Sequence, residues 1–234
     1  MKKGKLSASM MCTSIDKIFY YLTEFKENNL ELLHIDVMDG DFVPNLALGT
    51  DYVKSLRRIT DIPFDYHFLV KNPLEKMTWY EIREGDQVAF HYEGNNDIQK
   101  CLNYLKRLGA KKFIAINPET NFEVLIPYLN QIDGILVMTV TPGFAGQKIV
   151  DTSFEKVKNI YKYLEKNDKT NIEIEVDGNI TIENAAKLYK LGATIFVSGS
   201  SSLFSKTEIP VKDIIDAQRA VIGWKNSDIR RQHE

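Results

Sequence analysis

Two hydrophobic rhythms alternate along the chain. In short runs, every second residue is apolar. In longer runs, apolar residues return every three or four positions. The first rhythm marks strands and the second marks helices. Strands are predicted over 6–11 (LSASMM), 32–37 (LLHIDV), 64–69 (FDYHFL), 87–91 (QVAFH), 112–116 (KFIAI), 134–140 (GILVMTV), 172–176 (IEIEV) and 194–198 (TIFVS). Helices are predicted near 14–28, 50–58, 73–83, 96–108, 121–129, 152–166, 181–190 and 210–222. Over 152–166, Phe154, Val157, Ile160, Tyr161 and Leu164 keep helical spacing. Thr181 is placed to cap the helix that follows it. Leu108-Gly109 and Leu191-Gly192 are placed to end two others, because glycine accepts the left-handed conformation.

Strands and helices that alternate from end to end predict an α/β fold, a single (β/α)8 TIM barrel over 1–234. The rival is a doubly wound open sheet. It would usually carry G-x-G-x-x-G after its first strand, and this chain has none. No linker or low-complexity break interrupts the pattern. The polar segment 224–234 is expected to be a frayed tail.

Composition narrows the function. The chain has 234 residues, of which 44% are hydrophobic, enough for a substantial core. A net charge of −2 argues against a nucleic-acid partner. No run approaches the roughly 20 apolar residues that span a bilayer, and MKKGKLSASMMC does not read as a signal peptide. Cys12 and Cys101 form no metal or disulfide pattern. The expectation is a cytoplasmic protein with neither membrane nor nucleic-acid partners.

The chemistry gathers at strand ends. His34 and Asp36 lie on one face of their strand, His67 ends another, and Asp177 ends a third. In a barrel, function collects at the C-terminal ends of the strands. Two imidazoles and two carboxylates suit one divalent ion of the zinc, iron(II), manganese or cobalt kind, with magnesium also admissible. Each of these residues, taken singly, also reads as an ordinary hydrogen-bonded polar group. Asp65 is placed to orient His67 or to be solvated. His91 is placed to line the pocket or to sit in the core, with the core preferred. Met10, Met38 and Met138 fall on or beside these strands and can wall a dry enediolate site or simply pack.

A carboxylate pair beside a Lewis acid suits proton transfer at a carbon next to a carbonyl, through a metal-stabilised enediolate. Hydrolysis by metal-bound water is the competing chemistry. Three glycine-rich turns follow the last strands: Thr141-Pro-Gly143-Phe144-Ala145-Gly146-Gln147, Asp177-Gly178-Asn179 and Gly199-Ser200-Ser201-Ser202. Such turns let backbone N–H groups converge on a phosphate. The ligand this implies is a small phosphorylated ketose.

These residues resemble the ribulose-phosphate 3-epimerase family of TIM barrels over about Ser7 to Phe204. The carriers are Ser7-Ala-Ser-Met10, His34-Ile-Asp-Val-Met-Asp-Gly40, Phe42-Val-Pro-Asn45, Asp65-Tyr-His67, Asn117-Pro118, Val137-Met-Thr-Val140, Pro142-Gly-Phe144 and Glu175-Val-Asp-Gly178. The resemblance implies that His34, Asp36, His67 and Asp177 bind the metal and that Asp36 and Asp177 are the catalytic acid/base pair. It implies substrate contacts from Ser9, His67, Gly143, Phe144, Ala145, Gly146, Gly178, Asn179, Gly199, Ser200 and Ser201. It also implies a homo-oligomer, a dimer or hexamer.

Within the family the chain looks more like the D-allulose-6-phosphate 3-epimerase branch. Met11-Cys12, Asn117-Pro-Glu-Thr120, Gly143-Phe-Ala-Gly146 and Gly199-Ser-Ser-Ser-Leu-Phe204 carry that likeness. The last turn is one residue longer than the Gly-Ser-Ala-Ile-Phe usual in the pentose enzymes. The expected reaction is therefore D-allulose 6-phosphate to D-fructose 6-phosphate, with D-ribulose 5-phosphate to D-xylulose 5-phosphate as the alternative. A barrel that binds a sugar phosphate without turnover is the alternative of another class. The chain departs from the family at Ala8, at Leu69 and at Asn179, and no ligand or acid/base position is missing.

Overall fold

A computed structural model of the chain describes residues 2–94, 97–205 and 208–230. The strands are β1 (Lys5–Ser9), β2 (Leu32–Asp39), β3 (Leu46–Ala47), β4 (Phe64–Leu69), β5 (Gln87–His91), β6 (Lys111–Ile116), β7 (Gly134–Met138), β8 (Glu173–Asp177) and β9 (Ile195–Ser198). Eight of them run parallel in the order β1-β9-β8-β7-β6-β5-β4-β2. Parallel pairing of β1 with β2 closes the sheet into a TIM barrel. The two-residue β3 pairs antiparallel with the last two residues of β2, with Met38 opposite Ala47.

The helices are α1 (Ile18–Glu27), α2 (Thr50–Ile59), α3 (Pro73–Met77), α4 (Ile98–Leu108), α5 (Thr152–Lys166), α6 (Ile182–Lys190), α7 (Val211–Val221) and α8 (Asn226–Arg230). The expected caps form. Thr181 accepts from the Asn184 N–H at 3.1 Å, and Gly109 ends α4 at φ +70°. Three expected helices differ. Residues Phe122–Tyr128 form a 3-10 helix that contains Pro127. Proline has no N–H to give to the carbonyl four residues back, so an α-helix cannot be completed there. The helix expected over 73–83 stops at Met77, where Thr78 and Trp79 donate to carbonyls only three residues back. The first helix opens with a separate 3-10 turn over Ile15–Lys17.

The described part of the expected frayed tail contains a short helix. α8 forms there, with Asp228 accepting from the Lys225 N–H and pairing with Lys3 at 3.0 Å. Just before it, the Trp224 indole donates to the Gly4 carbonyl. Residues 231–234, the predicted helix start at 96, and the interval 206–207 lie outside the described residues.

Alternation gives each barrel strand two faces. Leu33, Ile35 and Val37 of β2, Phe64, Tyr66 and Phe68 of β4, and Val88 and Phe90 of β5 join the main apolar core under the helices. Full burial of one such aliphatic or aromatic side chain contributes about 1.5–3 kcal/mol. The intervening residues face the barrel axis. Part of that space is filled by Ala89, Phe113, Ala115, Leu136 and Ile195. Gly134 is required there, since a β-carbon on it would stand 2.0 Å from the Phe113 ring.

Candidate active site

The inward faces of β2, β4 and β8 bring four predicted residues to one point. Strand register sets His34 opposite Asp65 and Asp36 opposite His67. Asp177 ends β8, opposite Met138. Ligand-capable atoms of His34, Asp36, His67 and Asp177 all lie within 4.8 Å of one another. His34 Nε2 is 3.2 Å from Asp36 Oδ1 and 3.9 Å from Asp177 Oδ2. His67 Nδ1 is 3.3 Å from Asp36 Oδ1 and 3.6 Å from Asp177 Oδ2.

This donor set fits a divalent cation. Asp65 Oδ2 lies 2.8 Å from His34 Nδ1. An ionised carboxylate only accepts, so Nδ1–H donates and Nε2 is turned toward the two aspartates. Buried Nε2 has no hydrogen-bond partner among the described residues. Such an atom is costly unless a proton or a cation sits there. Burial opposes a charge on His34, yet Asp36 and Asp65 hold its pKa well above the ordinary value. An acid that carries its proton on Nε2 marks where a cation would be welcome.

The two aspartates are driven apart. Burial pushes the Asp36 carboxyl up, but His34 and then His67 outweigh it, leaving Asp36 far below the usual range. Asp177 is pushed up to about 7, first by burial, which outweighs His34, and then by the negative charges of Asp36 and Asp65. A bound divalent ion would draw Asp177 back down. Ser9 Oγ donates to Asp36 Oδ2 at 3.0 Å.

Below this cluster lies a second polar layer. Ser7 Oγ donates to Asp65 Oδ2 at 2.7 Å, and Gln87 Nε2 bridges Asp65 Oδ1 and Glu175 Oε2 at 2.9 Å each. Burial and the neighbouring Asp65 push the Glu175 carboxyl well above its ordinary value. Asp65 therefore serves His34, not His67 as the sequence suggested, because β4 runs beside β2 in a register that faces it to His34. His67 turns its other nitrogen to His91, with the two Nε2 atoms 2.9 Å apart. His91 Nδ1 lies 3.1 Å from Glu93 Oε2. His91 is buried, as expected, but belongs to the site rather than to apolar packing. The sequence reading assigns no site role to Gln87, Glu93 or Glu175. Alternation could have found Glu175, which precedes Asp177 by two residues within β8, whereas Glu93 lies beyond the end of β5.

A cavity of about 610 Å³, open mouth included, lies over the cluster. Asp36 and Asp177 reach its floor. Met38, Met138 and Leu69 line it together with Met11, whereas Met10 packs into the outer core. Ser9, Gly143, Phe144, Ala145, Gly146, Gly178, Asn179, Gly199, Ser200 and Ser201 also line it. His67, the remaining expected substrate contact, is fully buried and does not line the cavity. Gly143, Gly146, Gly178 and Asn179 all take positive φ, between +52° and +124°. Asn179 Nδ2 donates to the Gln147 carbonyl, tying two of the glycine-rich turns together. Among the described residues, no lysine or arginine lines the cavity.

Solved structures of low sequence identity share this fold. A crystal structure of KGPDC from Streptococcus mutans, determined as a ligand complex, covers 100% of each chain at 11% identity with a TM-score of 0.67. Phosphoribosyl anthranilate isomerase from Thermococcus kodakaraensis covers 94% of this chain and 98% of its own, at 14% identity and TM-score 0.62. Sequence relatives are nearer. A ribulose-phosphate 3-epimerase of Buchnera aphidicola is 34% identical over 212 residues, 90% of this chain and 92% of its own length. One from Methanocaldococcus jannaschii is 31% identical over 215 residues, 91% of this chain and 90% of its own. The family model described as Ribulose-phosphate 3 epimerase family matches residues 5–204. The chain therefore belongs to the ribulose-phosphate 3-epimerase family and is an isomerase of the epimerase class acting on carbohydrates.

Proposed function

We propose that the chain epimerises a phosphorylated ketose at C3, with Asp36 and Asp177 as the acid/base pair. His34, Asp36, His67 and Asp177 would hold the divalent ion. When bound, the ion supplies a Lewis acid for the substrate's carbonyl and for the negative charge that develops at deprotonation. The observation that carries the reading is the meeting of Asp36 and Asp177, from β2 and β8, on one cavity floor.

One carboxylate removes the C3 proton and leaves that carbon planar. The other acid returns a proton to the opposite face, which inverts the centre. In the reverse direction the two exchange roles. Ser9 orients Asp36 through its hydroxyl. Met38, Met138 and Leu69 exclude water from the planar intermediate. The phosphate would lie among the turns after β7, β8 and β9, bound by backbone N–H groups, since no lysine or arginine is described at the cavity wall.

Two substrates fit this reading, and each has its own support. The relatives' names favour D-ribulose 5-phosphate. The longer Gly199–Phe204 turn favours D-allulose 6-phosphate, whose phosphate lies one carbon further out, roughly 1.5 Å of extra bond. Steady-state assays of the purified protein on both ketoses, with zinc, manganese, cobalt or iron(II) supplied in turn, decide between them. A higher kcat/KM on the hexulose assigns the protein to that substrate, and a higher value on the pentulose assigns it to the other. No conversion of either would overturn the epimerase reading, and release of inorganic phosphate would replace it with hydrolysis.

A further inference from the structure

His67 can serve a cation only if its Nδ1 carries a lone pair. An imidazole with its proton on Nδ1 would aim that proton into the site instead. We propose that Glu93, acting through His91, is the positioning residue that sets the His67 tautomer and so frees Nδ1. This rests on the metal reading above.

One chain of contacts fixes where each proton sits. Glu93 Oε2 faces His91 Nδ1 at 3.1 Å. A carboxylate has no proton to give, so His91 Nδ1 is the donor. His91 Nε2 is then bare. It faces His67 Nε2 at 2.9 Å, and two bare nitrogens or two N–H groups cannot share that distance favourably. His67 Nε2 therefore carries the proton. Its Nδ1 lies 3.3 Å from Asp36 Oδ1, an ionised carboxylate that draws a proton there until a cation takes that place and meets the lone pair. The same chain followed back from a ligating Nδ1 ends with an acceptor at Glu93, so both ends agree.

The chain is mechanically fixed. The rings of His67 and His91 stack with centroids 5.1 Å apart and planes at 26°. Phe42 covers His91 at 4.8 Å. Glu93 Oε1 accepts from the Asn117 N–H at 2.8 Å and from the Thr120 hydroxyl, which holds the carboxylate in place. That loop is in turn gripped by Lys156 of α5, whose Nζ donates to the carbonyls of Asn117, Pro118 and Thr120 at 2.9, 2.6 and 2.7 Å. Asp65 performs the matching service for His34 from the other side. The two imidazoles thus present unlike nitrogens, Nε2 from His34 and Nδ1 from His67.

The test has two parts. Nitrogen-15 spectra of the histidine-labelled, zinc-loaded protein read the protonation of both His67 nitrogens directly, with no substitution needed. The proposal expects protonated Nε2 and unprotonated Nδ1, and the reverse overturns it. Zinc affinity, measured by competition with a chromophoric chelator, is then compared among variants. His91→Phe keeps a ring in the stack but removes the acceptor, and its zinc affinity should fall about 10–100-fold. His91→Gln places a carboxamide oxygen near the Nε2 position and should recover most of the loss. Equal zinc affinity in parent and His91→Phe overturns the proposal while leaving the metal reading intact. A parent that takes up no zinc, manganese, cobalt or iron(II) overturns the metal reading, and this one with it.

Discussion

The two faces of the barrel wall carry neighbouring residues to opposite ends. On β4, Phe64, Tyr66 and Phe68 face the helices and are fully buried in apolar contacts. Asp65 and His67, between them, face the axis and are just as buried. The outer face holds the fold together. The inner face concentrates buried ionisable groups: Asp36, Asp65, Glu175 and Asp177 crowd around two imidazoles. Local order in the inner face is uneven as well. Ser7, Asp65 and Gln87 are linked by hydrogen bonds in the lower layer, yet Gln87 Oε1 and Glu175 Oε1 there, like His34 Nε2 above, have no hydrogen-bond partner among the described residues. A stable shell tolerates an interior selected for chemistry.

Substitutions should separate the two faces. Asp36→Asn and Asp177→Asn should each lower kcat/KM by about 10²–10⁴-fold, the usual worth of a positioned acid or base. Their melting temperatures should stay near the parent's. An unfolded Asp→Asn protein would mean that the inner face also carries the fold. Phe68→Ala on the outer face should cost about 3–5 kcal/mol of stability in denaturant titration. The molecules that remain folded should keep their activity, and loss of turnover in fully folded protein would blur the division.

Asp65→Asn tests the link between the layers. An amide can donate where the carboxylate only accepts, so the His34 tautomer is no longer dictated. Divalent-metal affinity should drop about 10–100-fold in calorimetric titration, with a smaller change in melting temperature. Unchanged affinity would detach the lower layer from the site.

Chelation should show the smallest effect, and a pH-dependent one. In the metal-free protein Asp177 is raised from 3.8 to about 7 and His34 is raised too. A raised pKa means that the folded state binds the proton more tightly than the unfolded one. That stabilisation is complete below the unfolded value and is lost as pH climbs through the folded value. The melting temperature of chelated protein should therefore fall between about pH 4 and pH 8 relative to the metal-loaded protein. Scans at pH 5 and pH 8, with and without a divalent ion, check it. A metal-induced gain that is larger at pH 5 would contradict the assignment of those protons.

Most of the barrel was legible because eight strands each carry their own alternation. β3 was not, since two residues have no period to read. The segment before Tyr128 kept a helical rhythm while Pro127 denied it α-helical hydrogen bonds. His34, Asp36, His67 and Asp177 were found because they are polar residues in largely apolar strands, although only Asp177 ends its strand and the other three lie within β2 and β4. Their partners were not, because partnership depends on which strand lies alongside and in what register. Asp65 is two residues from His67 in sequence, yet it bonds to His34 across the β2–β4 pair. Glu93 lies beyond the end of β5, where the strand rhythm has stopped.

The two-acid mechanism stands or falls on the fate of one hydrogen. Turnover in deuterium oxide, with C3 of the product read by proton NMR and mass spectrometry, follows that hydrogen directly. The account predicts solvent deuterium at C3 of each epimerised molecule. Product that keeps the substrate's own hydrogen at C3 would contradict it.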